Sequence, residues 1–171
     1  MTDTRLDDLI KRRDAAALRD AGALLQASPG SLHRLLSLLH CGRVETERRA
    51  AAVLEGLACD APELLAPLTG RLFRIAAASE DGAVRRALAR SLPKLDLGRG
   101  DAGRLAFVLE AWLDDADLDV QRDAMSALVA LLPCRPELAT RIRSVFETRA
   151  ARGSPAARGH GLALLRRIRE F

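Results

Sequence analysis

The segments DGAVRRALARSL, from Asp81 to Leu92, and DLDVQRDAMSAL, from Asp117 to Leu128, share one pattern of small, apolar and charged residues. Three looser copies of this cassette begin at Asp14, Arg43 and Ser154. The fourth residue of each cassette is taken as its reference position: Ala17, Thr46, Val84, Val120 and Ala157. These positions are 29, 38, 36 and 37 residues apart. A period of about 37 residues leaves room for two helices and two turns, which is typical of a helical-hairpin solenoid.

Two positions in each repeat predict how its helices pack. Eight residues after the reference position, all five repeats have leucine: Leu25, Leu54, Leu92, Leu128 and Leu165. Eleven residues before it, all five have a large apolar residue: Leu6, Leu35, Phe73, Leu109 and Phe146. Because apolar side chains at helical spacing lie on one face, we expect each repeat to be a pair of helices that bury these residues together.

The sequence therefore predicts an all-α protein, an α-α superhelix of about five antiparallel helix pairs. We expect a single domain over residues 1–171, with helix pairs at roughly 3–28, 31–59, 62–96, 101–133 and 136–171. Period-two runs rich in Val, Ile and Thr, which would indicate strands, do not occur. The expected helix-capping residues, whose side-chain oxygens can accept bonds from free backbone N–H groups, are Asp14, Thr46, Asp81, Asp117 and Ser154.

The cassettes at Asp81 and Asp117 resemble the second helix of HEAT-type repeats, in the small bacterial form related to phycobilisome-lyase-like repeats. That pattern has Asp, two free positions, Val and Arg, then small and Leu positions, and Val84 and Arg85 match it. In the fourth repeat Gln121 replaces the Arg. The resemblance covers almost the whole chain and implies an armadillo/HEAT fold rather than a reaction. It also implies that the second helices line a concave surface that holds a partner.

The composition limits the classes of partner. The chain has 27 basic and 23 acidic residues, a formal charge of +4, and all but Lys11 and Lys94 of the basic residues are Arg. Arginine favours bidentate recognition of anions, although a GC-rich genome, which also enriches Ala, is the alternative explanation. Aromatic residues make up only 3% of the chain, which weakens any role in base stacking.

The cysteines and the N-terminal residues bear on the compartment. Cys41, Cys59 and Cys134 have neither the paired spacing of a zinc knuckle nor that of a disulfide framework. Asp3 and Asp7 precede any apolar run, unlike a signal peptide, and no apolar stretch is long enough for a bilayer. We expect a soluble cytoplasmic protein with no membrane contact, no metal and no cofactor.

The positions one, two and six residues after each reference position should be exposed if the leucine face is buried. Arginine predominates there, so stacked second helices would carry a basic ridge. The expected partner-binding residues are Arg48, Arg85, Arg86, Arg90, Gln121, Arg122, Met125 and Arg158. Such a ridge fits a protein with an acidic surface, or nucleic-acid phosphates as the alternative. The remaining interpretation is a solvated face whose arginines bond the capping Asp of the neighbouring repeat.

We therefore expect a non-enzymatic scaffold or adaptor that binds a protein on the concave second-helix face. No nucleophile motif frames a Ser, Cys or Lys, so we identify no catalytic residue. The alternative is a nucleic-acid-binding module similar to alkylpurine DNA glycosylases, which are also built from HEAT-like repeats. Trp112, Asp115 and Arg122 resemble the Trp, Asp and Arg around the DNA-binding groove of that family. Leu9 and Leu38 at the positions equivalent to Trp112 indicate instead that Trp112 packs in the core.

His33 and His40 are seven residues apart and can share a helix face, with Cys41 adjacent. A zinc site needs three or four converging ligands, and no carboxylate lies near them in sequence. We expect both histidines to be surface or capping residues.

Overall fold

The computed structural model of the protein describes residues 2–12, 14–152 and 155–168, which form ten α-helices and no β-strand. The helices, numbered in chain order, are α1 (Thr2–Lys11), α2 (Ala15–Ala27), α3 (Leu32–Leu38), α4 (Val44–Asp60), α5 (Thr69–Ala78), α6 (Gly82–Ser91), α7 (Arg99–Trp112), α8 (Leu118–Ala130), α9 (Ala139–Arg152) and α10 (Pro155–Ile168). The protein is all-α, as the repeat pattern predicts. In each repeat, the odd-numbered helix is the first helix and the even-numbered one is the second.

The chain divides into two compact units, Met1–Asp96 and Leu97–Phe171. The first unit contains α1–α6 and the second contains α7–α10. The division coincides with the predicted junction between the third and fourth helix pairs. That the whole of residues 1–171 behaves as one domain stays a prediction.

In the first unit the second helices pack in chain order, α2 against α4 and α4 against α6. The repeated leucines Leu25, Leu54 and Leu92 are fully buried, which confirms the face predicted for them. Ala21 and Ala50, four residues after their reference positions, are also fully buried. These small residues let neighbouring helices approach closely. Each buried leucine then contributes about 1.5–3 kcal/mol relative to exposure.

In the second unit α8 packs against α7 and α10, and α9 packs against α10. Leu128 is buried as predicted, but Leu165 is only half-buried, and Leu164 takes its place in the core. Both residues lie on α10, which no further helix follows among the described residues. The leucine position of the fifth repeat is therefore not enclosed as it is in the other four.

Three of the predicted helix caps are confirmed. The carboxylates of Asp14, Asp81 and Asp117 accept hydrogen bonds from backbone N–H groups at the starts of α2, α6 and α8. The prediction for Thr46 is wrong, because α4 begins two residues earlier, at Val44, without a side-chain cap. Ser154 lies outside the described residues.

The loop before α4 is held in another way. Gly42 has a φ of +74°, a left-handed conformation that a residue without a Cβ adopts at little cost. Its N–H group donates to Glu47 Oε1 at 2.7 Å, so a carboxylate in the first turn of α4 reaches back to the loop. This bond ties the loop to α4, but it does not cap the free N–H groups at the start of the helix, the role predicted for Thr46.

Candidate functional site

Arg48 connects two second helices in the first unit. Its Nε donates to Asp81 Oδ2 at 3.0 Å, while Asp81 Oδ1 accepts from the N–H groups of Ala83 and Val84 at the start of α6. One carboxylate therefore caps α6 and binds an arginine of α4. This is the Arg-to-cap bond considered above for a solvated face. The Arg48 side chain nevertheless remains 49% exposed.

Arg85 and Gln121 have the same structural role in their repeats. Each lies one residue after its reference position and donates a hydrogen bond to the backbone carbonyl six residues upstream. Arg85 Nε bonds Ser79 O at 2.8 Å, and Gln121 Nε2 bonds Asp115 O at 2.7 Å. The replacement of Arg by Gln in the fourth repeat keeps this bond. Both side chains therefore fix the turn before their helix, and both are partly buried rather than fully exposed as expected.

The other expected arginines that the structure describes also have partners. Arg90 Nη1 lies 3.3 Å from Glu55 Oε1, which links α6 to α4. Arg122 Nη2 lies 2.7 Å from Asp119 Oδ1 within α8, and its side chain is 51% exposed. Arg86 is half-buried and interacts within the protein. The second-helix face thus carries paired charges instead of an uncompensated basic ridge.

The structure corrects one expected partner-binding residue, Met125, and does not describe the side chain of another, Arg158. Met125 is only 4% exposed. Its Cε packs closely against α10, since a Cβ added at Gly161 would lie 3.3 Å from that Cε. The flexible thioether fills the space left by glycine, so Met125 is mainly a core residue. Arg158 falls in α10, but its side chain lies outside the described residues.

The residues that resemble those of the DNA glycosylases have structural roles here. Trp112 is 5% exposed, which confirms the packing role predicted for it. Asp115 Oδ1 accepts the N–H of Asp117 at 2.8 Å in the turn before α8. The enclosed indole ring does not present a face on which a base could stack.

A groove between α7, α8 and α9 of the second unit was not predicted. It has a volume of about 620 Å³ and is lined by residues of α7, α8 and α9 and of the turn after α7. Arg141 Nη2 lies 2.5 Å from Glu110 Oε2, and Arg149 Nη2 lies 2.5 Å from Asp114 Oδ1. Each guanidinium in this groove thus has a carboxylate partner.

A second groove, between α3 and α5 in the first unit, has a different charge. Its volume is about 470 Å³. Arg71, Arg74 and His40 line it together with the apolar Leu36 and Ile75, and no acidic residue is among its lining. In the described part of the chain, Arg74 has no hydrogen bond or ion pair. Sequence reasoning missed this groove because it joins two helices more than 30 residues apart.

Most histidines and cysteines are exposed, whereas Cys41 and His160 are half-buried. His33 and His40 are exposed, as predicted, and His33 Nδ1 lies 2.7 Å from Arg71 Nη1. Lys94 Nζ lies 2.9 Å from the Sγ of the exposed Cys59. No three His, Cys, Asp or Glu side chains come together as metal ligands within the described residues. None of the described helices is both long enough and apolar enough to span a membrane.

Comparisons with known proteins bear on the fold alone. No protein-family model matches the chain, and no curated protein matches it either. The chain is similar to a crystal structure of an engineered protein from the Northeast Structural Genomics Consortium, with a TM-score of 0.67 and 18% sequence identity. The similarity covers 99% of this chain and 79% of the engineered one. At this identity it supports the helical fold and carries no information on function.

Proposed function

We propose that the chain is a HEAT-like, non-enzymatic scaffold that binds an acidic surface of a partner protein through its second helices. The supporting observation is the side-by-side packing of those helices within each unit, α2, α4 and α6 in the first and α8 and α10 in the second. Two residues after the reference position, four repeats have arginine: Arg19, Arg48, Arg86 and Arg122. Packed helices repeat this position from one helix to the next and so offer an extended surface for a protein.

The ion pairs of Arg48 and Arg122 do not prevent partner binding. Arg48 and Arg122 keep about half of their side-chain surface in water. A surface ion pair contributes only roughly 0–1 kcal/mol. A carboxylate of a partner can therefore replace the internal one at little cost, and a guanidinium can bind it through two parallel hydrogen bonds.

Affinity capture from the source cell tests this proposal. We expect the Arg48→Glu/Arg122→Glu variant to lose the proteins that the wild-type chain retains. The matched control is Arg12→Glu/Arg104→Glu, which also reverses one exposed, ion-paired arginine in each unit but lies outside the second helices. Circular dichroism checks that all variants stay helical. Equal capture by wild type and by the second-helix variant would overturn the proposal.

The nucleic-acid alternative has less support. Trp112 is enclosed in the core, and Asp115 and Arg122 bond within their own repeat. Release of an alkylated base by the wild-type chain, and its loss in an Asp115→Asn variant, would establish that enzyme activity.

A further inference from the structure

The first helices contain a repeated ion pair. Ten residues before the reference position, α1 has Asp7 and α7 has Glu110. Each accepts from an arginine of the next first helix in its unit. Arg34 of α3 donates Nε to Asp7 Oδ1 at 2.8 Å, and Arg141 of α9 reaches Glu110. An acid at this position thus neutralises the arginine across the junction.

The junction between α3 and α5 lacks this acid. The equivalent residue of α3 is Leu36, which is buried, whereas α5 still carries Arg71 and Arg74. In place of a carboxylate, Arg71 Nη1 meets His33 Nδ1 at 2.7 Å. A guanidinium can only donate, so the imidazole nitrogen must accept. His33 therefore orients the guanidinium without cancelling its charge.

Glu47, Glu80 and Asp81 do not line this groove. They line an adjoining pocket that shares His40 with the groove. Among them, Glu47 accepts from Gly42, and Asp81 caps α6 and binds Arg48. Glu80 is exposed and also lines that adjoining pocket. Among the described residues, neither arginine of the groove is therefore paired with a carboxylate.

We propose that the groove between α3 and α5 binds a short acidic segment of a partner protein. Carboxylates of that segment pair with Arg71 and Arg74, and one apolar side chain of it lies on Ile75 and Ala78. This site goes beyond the second-helix surface proposed above, because it lies on the first helices of one unit. A ligand can use the guanidinium groups without displacing any internal acid.

The lining of the groove favours a peptide over nucleic acid. Leu36, Ile75 and Ala78 give it an apolar part that suits a side chain and not a phosphodiester. No aromatic ring is among the lining residues, so a base has no surface for stacking. Two arginines also neutralise few phosphates, whereas tight nucleic-acid binding draws on many such contacts.

Fluorescence anisotropy with a labelled peptide, Glu-Glu-Leu-Glu-Glu, tests the site on the full chain. We expect the wild-type chain to bind the peptide and the Arg71→Gln/Arg74→Gln variant to bind it at least about tenfold more weakly, since hydrogen bonds to charged groups are lost. The control Arg104→Gln/Arg141→Gln removes the same net charge from two exposed arginines that already have acid partners. It should bind like the wild type.

The outcomes separate this site from the second-helix proposal. The Arg48→Glu/Arg122→Glu variant should retain the peptide, even where it loses the captured proteins. The inference is overturned if the wild-type chain does not bind the peptide, if both double glutamine variants bind it equally, or if a labelled single-stranded oligonucleotide binds at Arg71 and Arg74 more tightly than the peptide does.

Discussion

Truncation of a repeated leucine should destabilise the first unit strongly. Leu54 is fully buried in α4, a helix that packs against both α2 and α6. Leu54→Ala removes three buried carbon atoms with their hydrogens. At about 0.8 kcal/mol for each, the loss of hydrophobic transfer free energy is about 2.4 kcal/mol. The cavity left behind raises the expected loss to about 3–5 kcal/mol. Urea unfolding followed by circular dichroism measures this loss directly.

The same helix supplies the control for this prediction. Val44, at the start of α4, is 50% exposed, so we expect Val44→Ala to change the free energy of unfolding by less than about 0.5 kcal/mol. The predicted packing is refuted if Leu54→Ala lowers the free energy of unfolding by less than about 1 kcal/mol. It is also refuted if Leu54→Ala lowers that free energy by no more than Val44→Ala does. Either result would mean that the leucine position is not the packing position.

Six other substitutions test local interactions by urea unfolding. Arg85→Ala and Gln121→Ala should each cost about 1 kcal/mol, because each removes one bond to a backbone carbonyl, and Arg85→Gln should cost less than Arg85→Ala. Hydrogen bonds from Arg34 lower the pKa of Asp7 below its usual 3.8, so Asp7→Asn should cost about 1 kcal/mol at neutral pH. That difference should disappear as the pH falls through the folded-state pKa, where wild-type Asp7 becomes protonated. Gly159→Ala, which meets open space in α10, should stabilise the chain by up to about 1 kcal/mol, and Gly161→Ala by less, because Met125 must move.

The packing of the repeats could be predicted from the sequence because it depends on residue type at a fixed spacing. The buried leucines repeat once per helix pair, and the capping aspartates mark the starts of second helices. The exception, Leu165, lies in α10, and the described residues include no helix after it. Periodicity alone does not report whether a position is enclosed by another element.

The roles of the polar residues could be predicted only in part. The repeat pattern placed both Arg85 and Gln121 on a partner-binding surface. In the structure both donate to a backbone carbonyl instead, although only one of them is charged. Because every residue has a backbone carbonyl, the sequence does not indicate which one will be the acceptor. The groove between α3 and α5 depends on contacts between residues far apart in sequence, such as His33 and Arg71. One signal was present: Leu36 stands where three other first helices, α1, α7 and α9, have an acid. It acquires meaning only when the ion pairs of those helices are known.

The most direct test of the account is the affinity of a captured partner measured over a range of ionic strength. If arginines of this chain hold an acidic protein, the dissociation constant rises steeply with added salt, since screening weakens exposed charge pairs. A dissociation constant that stays the same from low to high salt would contradict the account.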